Sequence, residues 1–87
     1  MLNIYALYDS QIKGYMVPFT MKADGQAKRA MIDALQNNNT DVGKHPEDFS
    51  LFRLGSFDEE LGSIDVCEPP VRVCNCWELI NSSNEEK

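Results

Sequence analysis

Apolar residues alternate with polar ones at the start of the chain in a pattern that predicts a β-hairpin. The segment Leu2 to Tyr8 is apolar on both alternating faces, which is typical of an interior strand. Turn-forming residues follow at 9–14, and apolar side chains then recur at every second position from Tyr15 to Met21. Because Pro18 cannot donate a ladder hydrogen bond, this return arm should lie at an edge of the sheet or contain a bulge.

The periodicity changes to that of a helix between Gln26 and Gln36. The apolar positions follow the i, i+3, i+4, i+7, i+8 spacing of a single stripe, and they are Ala27, Ala30, Met31, Ala34 and Leu35. Asp24 is the predicted N-cap, since its carboxylate can accept from free amides of the first turn. The run Asn37-Asn38-Asn39 is predicted to end the helix.

The second half of the chain predicts two or three more strands. Apolar residues on both faces of the segment Phe49 to Leu54 predict a strand, and residues 58–62 form a natural turn before a far arm that holds Ile64 and Val66. Pro69-Pro70 is expected to interrupt the pairing. A last strand is predicted from Val71 to Ile80.

These elements predict an α+β fold, an antiparallel sheet of four to five strands with one amphipathic helix packed on one face. Residues 1–80 are expected to form a single domain, and residues 81–87, which include no apolar side chain, a disordered polar and acidic tail. We expect the second face of the sheet, where we place Tyr5 and Leu7, to be covered by another copy of the chain, by the C-terminal segment or by a ligand. A homodimer is the simplest of these.

One run of the sequence, with shorter matches upstream, resembles a known family. The run is Lys44 to Asp58 (KHPEDFSLFRLGSFD), and the upstream matches are Ile4–Ser10, Pro18-Phe19 and the helical residues Gly25, Ala27 and Arg29. Their order and spacing, over roughly residues 2–66, resemble the small accessory protein of gokushovirus-type microviruses, which are phages with single-stranded DNA genomes. The resemblance implies a viral, non-structural or DNA-binding protein of the host bacterial cytoplasm. It brings no catalytic signature.

Charge is distributed unevenly along the chain, and this limits where DNA could bind. The net charge is −6, with five Lys and Arg against four acids in residues 1–45 but three against ten in residues 46–87. A nucleic-acid binder normally has a basic excess, because neutralising phosphates supplies much of its affinity. Any DNA contact should therefore run through the first half. Without an apolar stretch of about 20 residues or a signal peptide, we expect a soluble protein with no membrane contact.

The candidate catalytic and metal-binding residues have simpler structural interpretations. Cys67, Cys74 and Cys76 could join His45 at a zinc ion, but the Cys-x-Cys spacing lacks the knuckle that Cys-x2-Cys provides. Reduced thiols without metal or cofactor are the expectation. The run His45-Pro46-Glu47-Asp48 is read as a turn, with Pro46 fixing the entry to a strand and Asp48 accepting from its first amides. No catalytic motif is present, so we do not expect an enzyme.

Aromatic residues interleaved with cations favour single-stranded DNA as the partner. Such binders combine stacking platforms with a basic groove. Lys28 and Arg29 are predicted to contact phosphates, and Lys13 and Lys22 to flank the stacked bases. The predicted nucleic-acid-binding set is Tyr8, Lys13, Tyr15, Lys22, Lys28 and Arg29. The alternative is an accessory factor whose acidic second half docks on a phage or host replication protein without contacting DNA.

Overall fold

The computed structural model describes residues 1–37 and 39–79, and it contains a five-stranded antiparallel sheet with short helices. The strands are β1 Leu2–Asp9, β2 Gly14–Tyr15, β3 Phe19–Met21, β4 Phe49–Asp58 and β5 Ser63–Asn75. Between β3 and β4 lie the helices α1 Asp24–Leu35 and α2 Asp41–Lys44, followed by a 3₁₀ turn at Pro46–Asp48, and residues 76–79 form a further helical turn after β5. The predicted α+β class, with an antiparallel sheet and one longer helix, is confirmed. The predicted tail at 81–87 lies outside the described residues.

The sheet has the order β2-β1-β4-β5, and β3 also pairs with β1. Tyr8 of β1 pairs with Tyr15 of β2, and Tyr5 of β1 pairs with Phe19 of β3. The predicted return arm of the first hairpin is therefore two short strands separated by a link that holds Pro18. This agrees with the expected edge position, because proline removes a ladder donor there.

The last strand is one long element that loses its register in the middle. Gly55 of β4 pairs with Val66, whereas Arg53 pairs with Val71, so residues 67–70 lie opposite Leu54 alone. The Pro69-Pro70 pair lies within this irregularity, where it was expected to interrupt pairing.

The predicted continuation of this strand to Ile80 is wrong for the described residues. Pairing with β4 ends at Asn75, and residues 76–79 are helical. The helical turn places Cys76 and Leu79, three positions apart, in the core together. Ile80 itself lies outside the described residues.

Helix α1 covers one face of the sheet through its apolar stripe. Ala27, Met31 and Leu35 are buried at i, i+4 and i+8, and they share a core with the sheet residues Tyr5, Phe49, Leu51 and Cys74. The predicted N-cap is wrong, because Ala23 is the N-cap and Asp24 is the first helical residue. The Asp24 carboxylate instead accepts a 2.5 Å hydrogen bond from the Tyr5 hydroxyl.

Strand pairing identifies which side chains lie on the helix-free face. Directly paired residues point to the same side of a sheet and successive residues to opposite sides. Tyr5 and Leu7 pack in or against the helix-side core, so our assignment of these two residues to the uncovered face is wrong. Both faces of β1 are apolar, and alternation alone does not say which one the helix covers. Because Tyr8 directly follows Leu7 in the strand, its side chain points the other way and lies on the helix-free face.

Candidate nucleic-acid interface

Three aromatic rings and one guanidinium group meet on the helix-free face. The Tyr8 and Tyr15 ring centroids are 5.0 Å apart, and Phe52 lies 6.0 Å from Tyr8 and 5.7 Å from Tyr15, all in edge-to-face arrangements. The Arg72 guanidinium carbon lies 5.8 Å from the centre of the Phe52 ring, within cation–π range. We call these four residues the aromatic patch.

The register of four strands builds the aromatic patch. Tyr8 pairs with Tyr15 across the first hairpin, and Phe52 pairs with Ala6 on one side and with Arg72 on the other. Ala6 is fully buried but stands outside the helix-side core, which is consistent with its position beneath the rings. Tyr15 remains 44% exposed, so the patch presents ring surface to solvent.

The patch includes only part of the predicted DNA-binding set. The structure brings Tyr8 and Tyr15 together, and Lys13 lies in the exposed turn that joins β1 to β2. Lys13 adopts a left-handed φ of 56°, a conformation that tight turns require and that is uncommon for residues other than glycine.

The other three predicted cations lie away from the patch. Lys28 and Arg29 belong to α1, on the opposite side of the sheet, and the Lys28 charge acts on Cys74 in the helix-side core. Lys22 is exposed just before α1, where its backbone N–H donates to the Gln26 side chain over 3.1 Å. The six predicted residues therefore do not form one surface.

Sequence reasoning missed Phe52 and Arg72. Each lies in a segment whose alternating pattern predicts a strand, but the contact between the two side chains depends on the register of β4 with β5. That register is shifted between Leu51 and Phe52 and again between Arg53 and Gly55, which periodicity does not reveal.

Polar groups on the helix side are used to join the helix to the sheet. The Tyr5 hydroxyl accepts from Asn3 over 3.0 Å and donates to Asp24. Arg53 Nη1 lies 3.6 Å from the same carboxylate oxygen of Asp24. Burial, with the hydrogen bond to Asp24, raises the pKa of Tyr5 above its usual value. These contacts fix the start of α1 and are structural in character.

The cysteines do not gather with His45. Cys74 and Cys76 are buried, and burial raises the pKa of both thiols, that of Cys76 to about 12. Burial therefore favours the neutral thiol over the thiolate at both positions.

A cluster of potential ligand atoms lies near the predicted turn instead. Among the described residues, the ligand atoms of His45, Glu47 and Asp48 lie within 4.8 Å of one another, and no cysteine belongs to this group. The Asp48 backbone carbonyl accepts from Ser10 N over 2.9 Å, and its carboxylate accepts from Gln11 over 3.3 Å. The role predicted for Asp48, accepting from the first amides of β4, is therefore wrong: its acceptors serve the β1–β2 turn. Glu47 and His45 are exposed, as a solvated turn requires.

Comparison with known proteins identifies the family. Residues 2–79 match the family described as Phage ORF5 protein. The chain belongs to this family. No curated protein and no solved structure matches the chain.

Membership in the Phage ORF5 family makes this a phage protein, in agreement with the viral part of the resemblance. The matched range includes every residue of the aromatic patch. Within the described residues of this ORF5 protein, the helices are too short and too polar to cross a membrane.

Proposed function

We propose that this phage protein is an accessory protein of the microvirus type that binds single-stranded DNA, without catalysis, during genome replication or packaging. The observation that carries the proposal is the aromatic patch, where three rings and the Arg72 guanidinium meet on a sheet face that is not covered by any helix of the described residues. Sheet-borne aromatic side chains beside cations are a recurrent platform for single-stranded nucleic acids.

Stacking on the aromatic patch supplies the affinity in this proposal. Tyr15 presents the most accessible ring of the patch, so a base stacks there first. Base–aromatic stacking contributes about 1–3 kcal/mol per base and tolerates any sequence. Arg72, beside the Phe52 ring, and Lys13, in the exposed β1–β2 turn, would contact the phosphates between stacked bases.

The acidic balance of the chain limits the electrostatic contribution. With a net charge of −6 and Arg72 as the cation of the patch, few counterions are released on binding. We therefore expect modest affinity with a shallow salt dependence, at about 0.7 in the slope for each phosphate contact on single strands. Binding should be measured first at low ionic strength.

The test is fluorescence anisotropy with a labelled oligothymidine of about 20 nucleotides. We expect Tyr15→Ala to weaken binding about 5- to 150-fold with an unchanged salt slope, which corresponds to loss of one stacked base. Arg72→Ala should weaken binding and lower the slope by about 0.7. The double change Lys28→Ala with Arg29→Ala is the matched control, since it removes two cations from the other side of the sheet and should leave affinity nearly unchanged.

The outcomes separate this proposal from its alternatives. Loss of affinity in the Lys28/Arg29 control, with none in Arg72→Ala, would move the site to the helix. Circular dichroism of each variant distinguishes a substitution that unfolds the protein from one that only removes a contact with DNA.

The turn between β4 and β5 favours a second candidate function, docking on a phage or host replication protein. That turn carries Asp58, Glu59 and Glu60, and the neighbouring Leu61 is 79% exposed. An exposed apolar side chain among acids suits a basic protein partner. Absence of any oligonucleotide binding by the parent protein at low salt would favour this function over DNA binding.

A further inference from the structure

The helix-free face continues beyond the aromatic patch into an aliphatic region near the β4–β5 turn. Phe57 pairs with Leu2 and with Ile64, and Gly55 pairs with Ile4 and with Val66. These side chains therefore share one side of three adjacent strands. Ile64 is 60% and Val66 72% exposed. We call Leu2, Ile4, Phe57, Ile64 and Val66 the aliphatic end of the face.

The open edges of the sheet are poorly suited to adding another strand. On the β1 side, β2 has two residues and β3 three, with Pro18 between them. On the other side, β5 holds Pro69 and Pro70 at its register shift. Proline removes ladder donors and blocks edge-to-edge pairing. A partner of this sheet should therefore cover its face rather than extend it.

Charge is segregated along the strand direction of this face. The β4–β5 turn at the aliphatic end carries three consecutive acids, Asp58, Glu59 and Glu60, and the sequence from 54 to 71 has no Lys or Arg. The N-terminal ammonium of Met1 lies 3.4 Å from the Glu59 carboxylate and offsets one of these charges, so the end stays acidic.

At the opposite end, Arg72 is the cation beside the rings. Lys13 lies there in the β1–β2 turn, where the carboxylates of Asp9 and Asp48 accept from Gln11, so the positive charge of this end rests on Arg72. Opposite charges facing each other fix the orientation of two associating surfaces.

We propose that the helix-free face is the interface of a two-fold homodimer, in which two copies pack face to face with the aliphatic end of each over the aromatic patch of the other. A second copy fits because its charge order is complementary only when the copies run in opposite directions, which places each acidic turn against the partner's Arg72. A two-fold arrangement satisfies both charge contacts at once and closes the assembly at two chains.

This interface uses the same side chains as the proposed DNA site. In the dimer the second copy covers the aromatic patch, so single-stranded DNA and the second copy compete for it. The competition rests on the proposed function, whereas the dimer does not. The dimer is then the DNA-free form of the protein.

A charge-exchange experiment tests the interface without DNA. Sedimentation equilibrium at about 100 µM and low salt should give a dimer for the parent protein. Arg72→Glu alone, and Glu59→Lys with Glu60→Lys, should each give a monomer, because like charges then face each other twice in a homodimer. An equimolar mixture of the two variants should restore a dimer, since opposite charges face each other at both contacts of the mixed pair. Arg29→Glu, exposed on α1, is the matched control and should remain dimeric.

Two results would overturn the dimer proposal. One is a monomeric parent protein under these conditions. The other is a parent dimer that persists in Arg72→Glu and in a variant combining Ile64→Ser with Val66→Ser, whose side chains are exposed enough for the fold to tolerate the change. Adding oligothymidine to the parent dimer should shift it towards monomer. A dimer that binds the oligonucleotide without dissociating would refute the competition and leave the DNA-binding proposal intact.

Discussion

The two faces of the sheet differ in what their side chains contact, although the same strands supply both. On the helix side, Tyr5, Leu51 and Cys76 are completely or almost completely buried, and the Tyr5 hydroxyl is satisfied by Asn3 and Asp24. On the helix-free face, the aromatic patch and the aliphatic end keep exposed ring and methyl surface. Within the described residues, one face is therefore packed against the helix, whereas the other leaves apolar surface exposed.

The two faces should differ most in how much a substitution on each lowers the free energy of unfolding. Leu51 has no exposed surface in the helix-side core, whereas Val66 is 72% exposed at the aliphatic end. Leu51→Ala should lower the free energy of unfolding by about 2–5 kcal/mol, since it removes buried methyl groups and leaves a cavity. Val66→Ala should change it by less than about 0.5 kcal/mol. Urea denaturation of both variants, at a concentration where the protein is monomeric, makes the comparison. Equal losses would contradict the assignment of the two faces.

A smaller loss should follow from adding a methyl group to Gly55. A Cβ atom there would collide with the backbone carbonyl of Asp65 on the paired strand, which cannot rotate away as a side chain would. Gly55→Ala should therefore cost about 1–3 kcal/mol, the usual cost of overpacking. Gly25→Ala in α1 is the control, because the space around its Cβ position is open and alanine favours a helix. Thermal unfolding should separate the two, and a stable Gly55→Ala variant would show that β4 and β5 are further apart.

The buried thiols predict a loss of stability at alkaline pH that originates on the helix side alone. Burial raises the pKa of Cys76 to about 12 from an ordinary value of 9.0. Between these values the unfolded chain loses the proton while the folded chain keeps it, so the free energy of unfolding falls as pH rises from about 9 to about 12. The slope reaches about 1.4 kcal/mol per pH unit for one thiol.

Denaturation measured at pH 8, 9, 10 and 10.5 tests this slope against two matched variants. Cys76→Ala should flatten the alkaline slope, and Cys67→Ala, which removes a half-buried thiol of β5 outside the helix-side core, is the matched control. Cys74 and Tyr5, whose pKa values burial also raises, should leave a residual slope in the Cys76 variant. An identical slope in all three proteins would mean that Cys76 is not protected in the folded state.

Periodicity was sufficient to predict the elements whose apolar residues recur at a regular spacing. The stripe of α1, the alternation of β1 and the turn after Asp58 each carry their own pattern, and these elements form where they were expected. The fold class followed because a single amphipathic helix requires a sheet to pack on. The predicted ends of elements were less accurate. Asp24 accepts a hydrogen bond from Tyr5 and does not cap the helix, and residues 76–79 form a helical turn that buries Cys76 and Leu79.

Register and facing were not predictable from the sequence, and the candidate site depends on both. Two register shifts in β4–β5 bring Arg72 to Phe52. Since β1 is apolar on both faces, its sequence does not indicate which face the helix covers. Tyr8 and Tyr15 were found because a hairpin pairs them locally. The predicted cations on α1 were chosen for charge, which says nothing about the side of the sheet on which they lie.

The most direct test maps the proposed DNA site on the protein itself. Oligothymidine should be titrated into ¹⁵N-labelled protein at low salt while the amide resonances are followed. We predict that the perturbed amides lie on the helix-free face, at Tyr8, Tyr15, Phe52 and Arg72 and, where the oligonucleotide displaces a second copy, at the aliphatic end. The amides of α1 from Lys28 onwards should be unchanged. Perturbations confined to α1, or none at saturating oligonucleotide, would contradict the claim that the helix-free face is the binding surface of this phage protein.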